Sequence, residues 1–167
     1  MKNENVFGDV VVFKSNSLEA RLITAITKNK YNHCALRTEE TKAKNITRRG
    51  TLEYDLSNPT GRYDSYIILE HKEITPRRRE QLYLWDKLVK NNYSTRSILT
   101  LASRHLLGME KNYDRIIKPG KLNCSTRIAL IYKMVFIPIL RDIHHTQIEP
   151  NDFLDSPYFE VIKEWKR

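Results

Sequence analysis

The segment NCSTRIALIYKMVFIPIL, residues 123–140, constrains the fold more than any other part of the chain. Its apolar residues fall all round a helical wheel, so a helix here has no face suited to water and must be enclosed by protein. Pro138 sets the expected C-terminal limit of that helix. No run in the chain approaches the roughly 18 apolar residues of a membrane span. The remaining segments therefore have to supply a cover for one central helix.

The first half of the chain offers strands. GDVVVFK (8–14) is a β-branched run behind a glycine and predicts a strand buried on both faces. A helix is expected from Leu18 to about Lys28, capped by Asn16 or Ser17, with Leu18, Leu22, Ile23 and Ile26 as its apolar stripe. YNHCALRT (31–38) reads as a strand, the charged stretch from Glu39 to Arg49 as an exposed loop, and GTLEYDL (50–56) and SYIILEH (65–71) as further strands. The period then changes. Thr75-Pro76 opens a helix whose apolar face is Leu82, Trp85, Leu88 and Val89, and a second runs from about Thr95 to Leu107. After the central helix, the tail EPNDFLDSPYFEVIKEW suggests a turn and a short closing helix. Strands followed by helices indicate an α+β fold with an antiparallel sheet. At 167 residues, without repeats or a linker, residues 1–167 are expected to form one domain.

Charge narrows the partners. The chain carries 29 Lys and Arg against 20 Asp and Glu, a formal charge of +9. That favours nucleic acid, acidic lipid surfaces or anionic cell-wall polymers, although the same charge also serves as a solubilising surface. Small basic clusters lie at Arg48-Arg49 and Arg77-Arg78-Arg79, and nine tyrosines are available for stacking. No recognised nucleic-acid motif accompanies them. Two cysteines make no disulfide framework, and without a CxxC pair they make no zinc site. His144 and His145 are adjacent, so on a helix they diverge by about 100°. Neither metal nor cofactor is expected. The start MKNENVFGD lacks the apolar core of a signal peptide, which points to a cytoplasmic protein, including one encoded by a phage or virus.

His33 and Cys34 are neighbours, yet on a strand successive side chains face opposite ways. Tyr31, His33 and Ala35 are expected on one face and Asn32, Cys34 and Leu36 on the other, which makes Cys34 a small buried hydrophobe. Cys124 differs, because it opens the central helix. Free N–H groups and the positive end of the helix dipole there favour a thiolate, and they can also stabilise an oxyanion. A helix-start cysteine beside a strand histidine is the pairing of papain-like hydrolases. A buried cysteine without chemistry can occupy the same place.

GDVVVF, a helix, YNHCAL, TLEYD, NCSTRIAL and EPNDFLDSPYF, in that order, resemble the YaeF/YiiX-type branch of the permuted NlpC-like papain-fold amidases. The matching pieces are Gly8-Asp9, Tyr31-x-His33, Cys124-Ser125, Pro150-x-Asp152-Phe153 and Ser156-Pro157-x-Phe159, spread over residues 8 to 160. The resemblance implies a papain-like fold of permuted order, with an antiparallel sheet or partial barrel packed on the helix that carries the nucleophile. It implies Cys124 as nucleophile, His33 as base and Glu53 as the residue that orients the histidine, with Asp55 on the same strand face as rival. Glu70 and His71 are weaker choices on the next strand. Tyr31 could bind substrate near the nucleophile or simply pack. Tyr54 stands where a small residue is usual, and Ser125-Thr126-Arg127 lacks the glutamate usual after Cys-Ser.

The function expected is a cysteine hydrolase that cleaves an amide or ester through an acyl-thioester intermediate. Its substrate would be a peptide, a peptidoglycan peptide or a lipid acyl group. Lecithin:retinol acyltransferase-like proteins share the permuted layout and an Asn-Cys similar to Asn123-Cys124, so acyl transfer is a variant of the same reading. A basic nucleic-acid binder and a non-catalytic interaction module are the alternatives.

Overall fold

The computed structural model describes residues 6–47, 50–58, 63–89, 123–140 and 143–167. Its centre is β1 (Val10–Ser15), where Val10, Val11, Val12 and Phe13 are all wholly buried, as a continuous apolar run demands. The Ser17 hydroxyl accepts the Ala20 N–H at 3.2 Å and starts α1 (Leu18–Thr27). Strand β2 (His33–Glu39) then returns antiparallel along β1, with Val12 opposite Cys34 and Phe13 opposite His33.

The sequence predicts an exposed loop over 39–49, but residues Lys42–Thr47 form β3, joined to β2 by a tight turn. The signal was there: Lys42 and Lys44 alternate with the buried Ala43 and Asn45. High charge masked a period of two. Next come β4 (Gly50–Asp55), paired to β3, and β5 (Tyr63–His71), which lies on the other side of β1. The closing element is also a strand, not a helix. After α2 (Pro76–Leu88), α3 (Cys124–Met134) and the short α4 (Pro150–Asp155), β6 (Phe159–Lys166) pairs along β5. The result is an α+β architecture with one antiparallel sheet of order β4-β3-β2-β1-β5-β6.

Strand alternation gives the sheet two unlike faces. Val10, Val12, Cys34, Leu36, Ile67 and Leu69 join Ile128, Ala129, Ile131 and Tyr132 of α3 in one buried cluster. The opposite face gathers Val11, Phe13, Ala35, Ala43, Tyr54, Tyr63, Tyr66 and Ile68. Helix α3 has eight buried residues and so fills the central place its sequence predicts. Fully burying Ile128 or Ile131 stabilises the fold by about 1.5–3 kcal/mol each. The helix ends at Met134, earlier than expected, and Phe136 takes a left-handed φ of 57° two residues before Pro138. In α2, Leu82 is buried and Trp85 and Val89 pack on the cluster, whereas Leu88 is exposed.

Several basic residues turn inward. Asp9 accepts Arg37 at 3.1 Å and Arg79 at 2.6 Å, and Arg79 also pairs with Glu70. The arginine triplet is therefore split, with Arg79 an internal counterion and Arg77 exposed. Gly8 has φ +97°, and a Cβ there would meet Leu82 Cδ1 at 2.6 Å, so no larger residue fits where the chain enters β1. The expected helix over 95–107, Arg48-Arg49 and the side chains of the α1 apolar stripe lie outside the described residues. Among the described residues, no helix is long and apolar enough to cross a membrane.

Candidate active site

Cys124 is the first residue of α3, and the cap that starts the helix also fixes the cysteine. Asn123 Oδ1 accepts the Thr126 N–H at 2.8 Å, and Thr126 Oγ1 accepts the Asn123 N–H at 2.9 Å. The Ser125 hydroxyl bonds to Asn123 Oδ1 and to the carbonyl of Ile148. One turn further on, Arg127 Nη2 meets Asp86 Oδ1 at 2.7 Å, and Lys44 Nζ meets Asp86 Oδ2 at 2.6 Å. Tyr132 closes the helix onto the chain start by donating to the Gly8 carbonyl at 2.6 Å. Helix α3 is thereby tied to α2, β3 and the lead-in to β1.

The β2–β3 ladder begins only at Leu36 opposite Lys44. Beyond that point the Asn45 side chain takes the place of a strand pair: its Nδ2 donates to the carbonyl of Cys34 and, at 3.0 Å, to that of Cys124. The start of α3 thus fills the gap where β2 has lost its neighbour. There the Cys124 thiol comes under the influence of Cys34 and His33. Hydrogen bonding from the Cys34 thiol, with the charge and hydrogen bond of His33, holds the Cys124 thiol well below its usual range despite burial. Burial pushes the Cys34 thiol well above its own, so the pair consists of one acidic sulfur and one that keeps its proton.

The structure therefore brings Cys124 and His33 together. It also corrects the expectation that Cys34 is turned away from the site. Cys34 is wholly buried among apolar residues, as expected, yet its thiol reaches Cys124. Opposite strand faces do not keep either residue from Cys124, since both Cys34 and His33 act on its thiol.

Glu53 is not beside the histidine. Its side chain is 60% exposed and pairs loosely with Lys42 at 3.8 Å, while Asp55 is exposed and caps the Ser57 turn. The partner of His33 is Tyr54, whose hydroxyl lies 2.6 Å from Nε2. Burial pushes the Tyr54 phenol far above its usual range, with Tyr63 and Cys124 adding to the effect, so it stays protonated. Register explains the choice. His33, Ala35 and Arg37 alternate onto one face of β2, Arg37 pairs with Ala43, and Ala43 pairs with Tyr54. Tyr54 therefore shares the His33 face, and Glu53 points away.

Tyr31 precedes β2 and is buried in the cluster that holds Cys124, with its carbonyl accepting from Asn151 at 3.0 Å. His71 is structural. It sits between the Pro138 carbonyl and the Glu73 N–H and stacks on Tyr158 at 5.9 Å.

No protein-family model matches the chain, and no curated protein does. Among solved structures it is similar to the protein described as metalloprotein yiiX from Escherichia coli O157:H7. The match has a TM-score of 0.56 and 14% identity, and it covers 96% of this chain and 98% of the other. That likeness is one of fold. Among the described residues, no three His, Cys, Asp or Glu side chains converge as a metal site would require.

Proposed function

We propose that the protein is a cysteine hydrolase of papain-like arrangement that cleaves an amide or ester bond. The observation that carries this reading is Cys124 at the start of α3, where hydrogen bonding from Cys34 and the charge of His33 hold its thiol below the usual range. Strand order β4-β3-β2-β1-β5-β6 and the likeness to a YiiX structure support the fold side of the reading. The Cys124 thiolate attacks the acyl carbon, and the His33 imidazolium protonates the leaving amine or alcohol. Water, deprotonated by His33, then releases the acyl group from the thioester. Tyr54 engages Nε2 of the ring, which leaves Nδ1 to exchange the proton with sulfur. A neutral phenol replaces the carboxylate expected at Glu53 or Asp55, so it orients the ring but adds little charge stabilisation to the imidazolium. The Cys34 thiol and the helix dipole supply more of the stabilisation of the sulfur. Peptides, peptidoglycan peptides and lipid acyl groups remain the substrate classes, with acyl transfer as the variant when an alcohol or amine replaces water.

An electrophilic acyl or vinyl-sulfone probe tests the reading on wild type, Cys124→Ala and His33→Ala. Labelling should be confined to Cys124, vanish in Cys124→Ala and slow by about 10²–10⁴-fold in His33→Ala. Equal labelling of wild type and His33→Ala would remove the catalytic pair.

A further inference from the structure

We infer that Cys34 and Cys124 are a reversible disulfide pair, closed by peroxide and opened by cellular thiols, that switches the site off. The inference concerns regulation of the proposed nucleophile and rests, for its consequence, on the hydrolase reading. Its geometry does not. The carbonyls of both cysteines bind the same Asn45 amide nitrogen, which holds the two backbones side by side where β2 lacks a strand neighbour. Both thiols are free and lie in one buried cluster.

Exposure orders the chemistry. Cys124 is 9% exposed and Cys34 is 0% exposed, so an oxidant from solvent meets Cys124 first and Cys34 meets only Cys124. The Cys124 thiolate attacks one peroxide oxygen. An S–O bond forms, the O–O bond breaks, and the departing hydroxide takes the His33 proton to leave as water. The Cys34 sulfur then attacks the sulfenic sulfur. The S–S bond forms, the S–O bond breaks, and the Cys34 proton leaves with the hydroxyl as a second water. Two electrons pass from the two sulfurs to the peroxide. Two equivalents of an external thiol such as glutathione reverse the reaction. Because the shared Asn45 amide already holds the two cysteine backbones together, ring closure competes with further oxidation of the sulfenic acid.

The test treats wild-type protein with hydrogen peroxide and maps its tryptic peptides without reduction. The expected product joins peptide 31–37 to peptide 122–127, with a mass lower by two hydrogens than the separate peptides. Dithiothreitol should release both peptides and restore thiol-probe labelling of Cys124. In Cys34→Ala, peroxide should instead leave Cys124 as a sulfinic acid that dithiothreitol does not rescue. Cys124 oxidised to sulfinic acid in wild type, with peptide 31–37 still a free thiol, would overturn the inference and leave the hydrolase reading untouched. A cross-linked peptide in a protein that no acyl probe labels would uphold the pair and defeat the hydrolase reading. The wild-type map decides the matter even if Cys34→Ala fails to fold.

Discussion

Tyr54 and Glu53 are adjacent residues in opposite environments, and the candidate site turns on that difference. The Tyr54 hydroxyl sits 2.6 Å from the His33 ring inside a buried aromatic face, while Glu53 stands in solvent. Tyr54→Phe should therefore slow acyl-probe labelling of Cys124 by about ten- to a hundredfold through loss of ring orientation. Glu53→Gln should leave the rate within about twofold and stability within about 0.5 kcal/mol. Kinetic labelling of the two variants side by side checks both. The placement of Cys124 at a helix start and of His33 on a strand was legible in the sequence, because each carries its own local signal. Tyr54 was not legible. Its place depends on the register Arg37–Ala43–Tyr54, which cannot be drawn while residues 42–47 are read as a loop. The contact between Cys34 and Cys124 was hidden for a related reason: it needs the ladder to stop at Leu36.

At the scale of elements, the position of α3 rests on buried charges as much as on apolar packing. Arg127 and Asp86 are each 1% exposed in their side chains, and Lys44 supplies a second, partly exposed cation. Asp86→Ala strands Arg127 without its carboxylate and should destabilise the protein by about 3–5 kcal/mol in denaturant unfolding. Lys44→Met should cost about 1 kcal/mol or less, since that ammonium is 31% exposed and the Arg127 pair survives. The central helix, the buried β1 and the caps at Ser17 and Thr75 were readable from periodicity and capping residues. Strand β6 was not, because only Phe159 of its eight residues is buried and its pairing to β5 is a long-range contact.

For the whole molecule, the formal charge of +9 survives internal pairing almost unchanged, since Arg37, Arg79 and Arg127 face Asp9, Glu70 and Asp86, whose charges that net already includes. Buried His71 and half-buried His145 contribute to its response to acid. Burial holds His71 below its ordinary range, and burial with His144 and Lys133 pushes His145 down to about 4. Their folded values lie below the unfolded ones, so the folded chain binds fewer protons and its stability falls as pH drops. The loss should begin near pH ~6.5, the ordinary histidine value, and continue towards about 4. Thermal unfolding across that window should show it, and His145→Gln should flatten the slope. Cys124 carries the opposite consequence for chemistry: its thiolate should persist below the ordinary thiol range and disappear only as pH falls through its lowered value. The most direct measurement is the ultraviolet thiolate absorbance of wild type minus Cys124→Ala, followed against pH. Titration of that difference well below ~8.5, shifting upward in His33→Ala, is the predicted result. A difference signal that titrates at or above ~8.5 in wild type, unmoved by loss of His33, would contradict it.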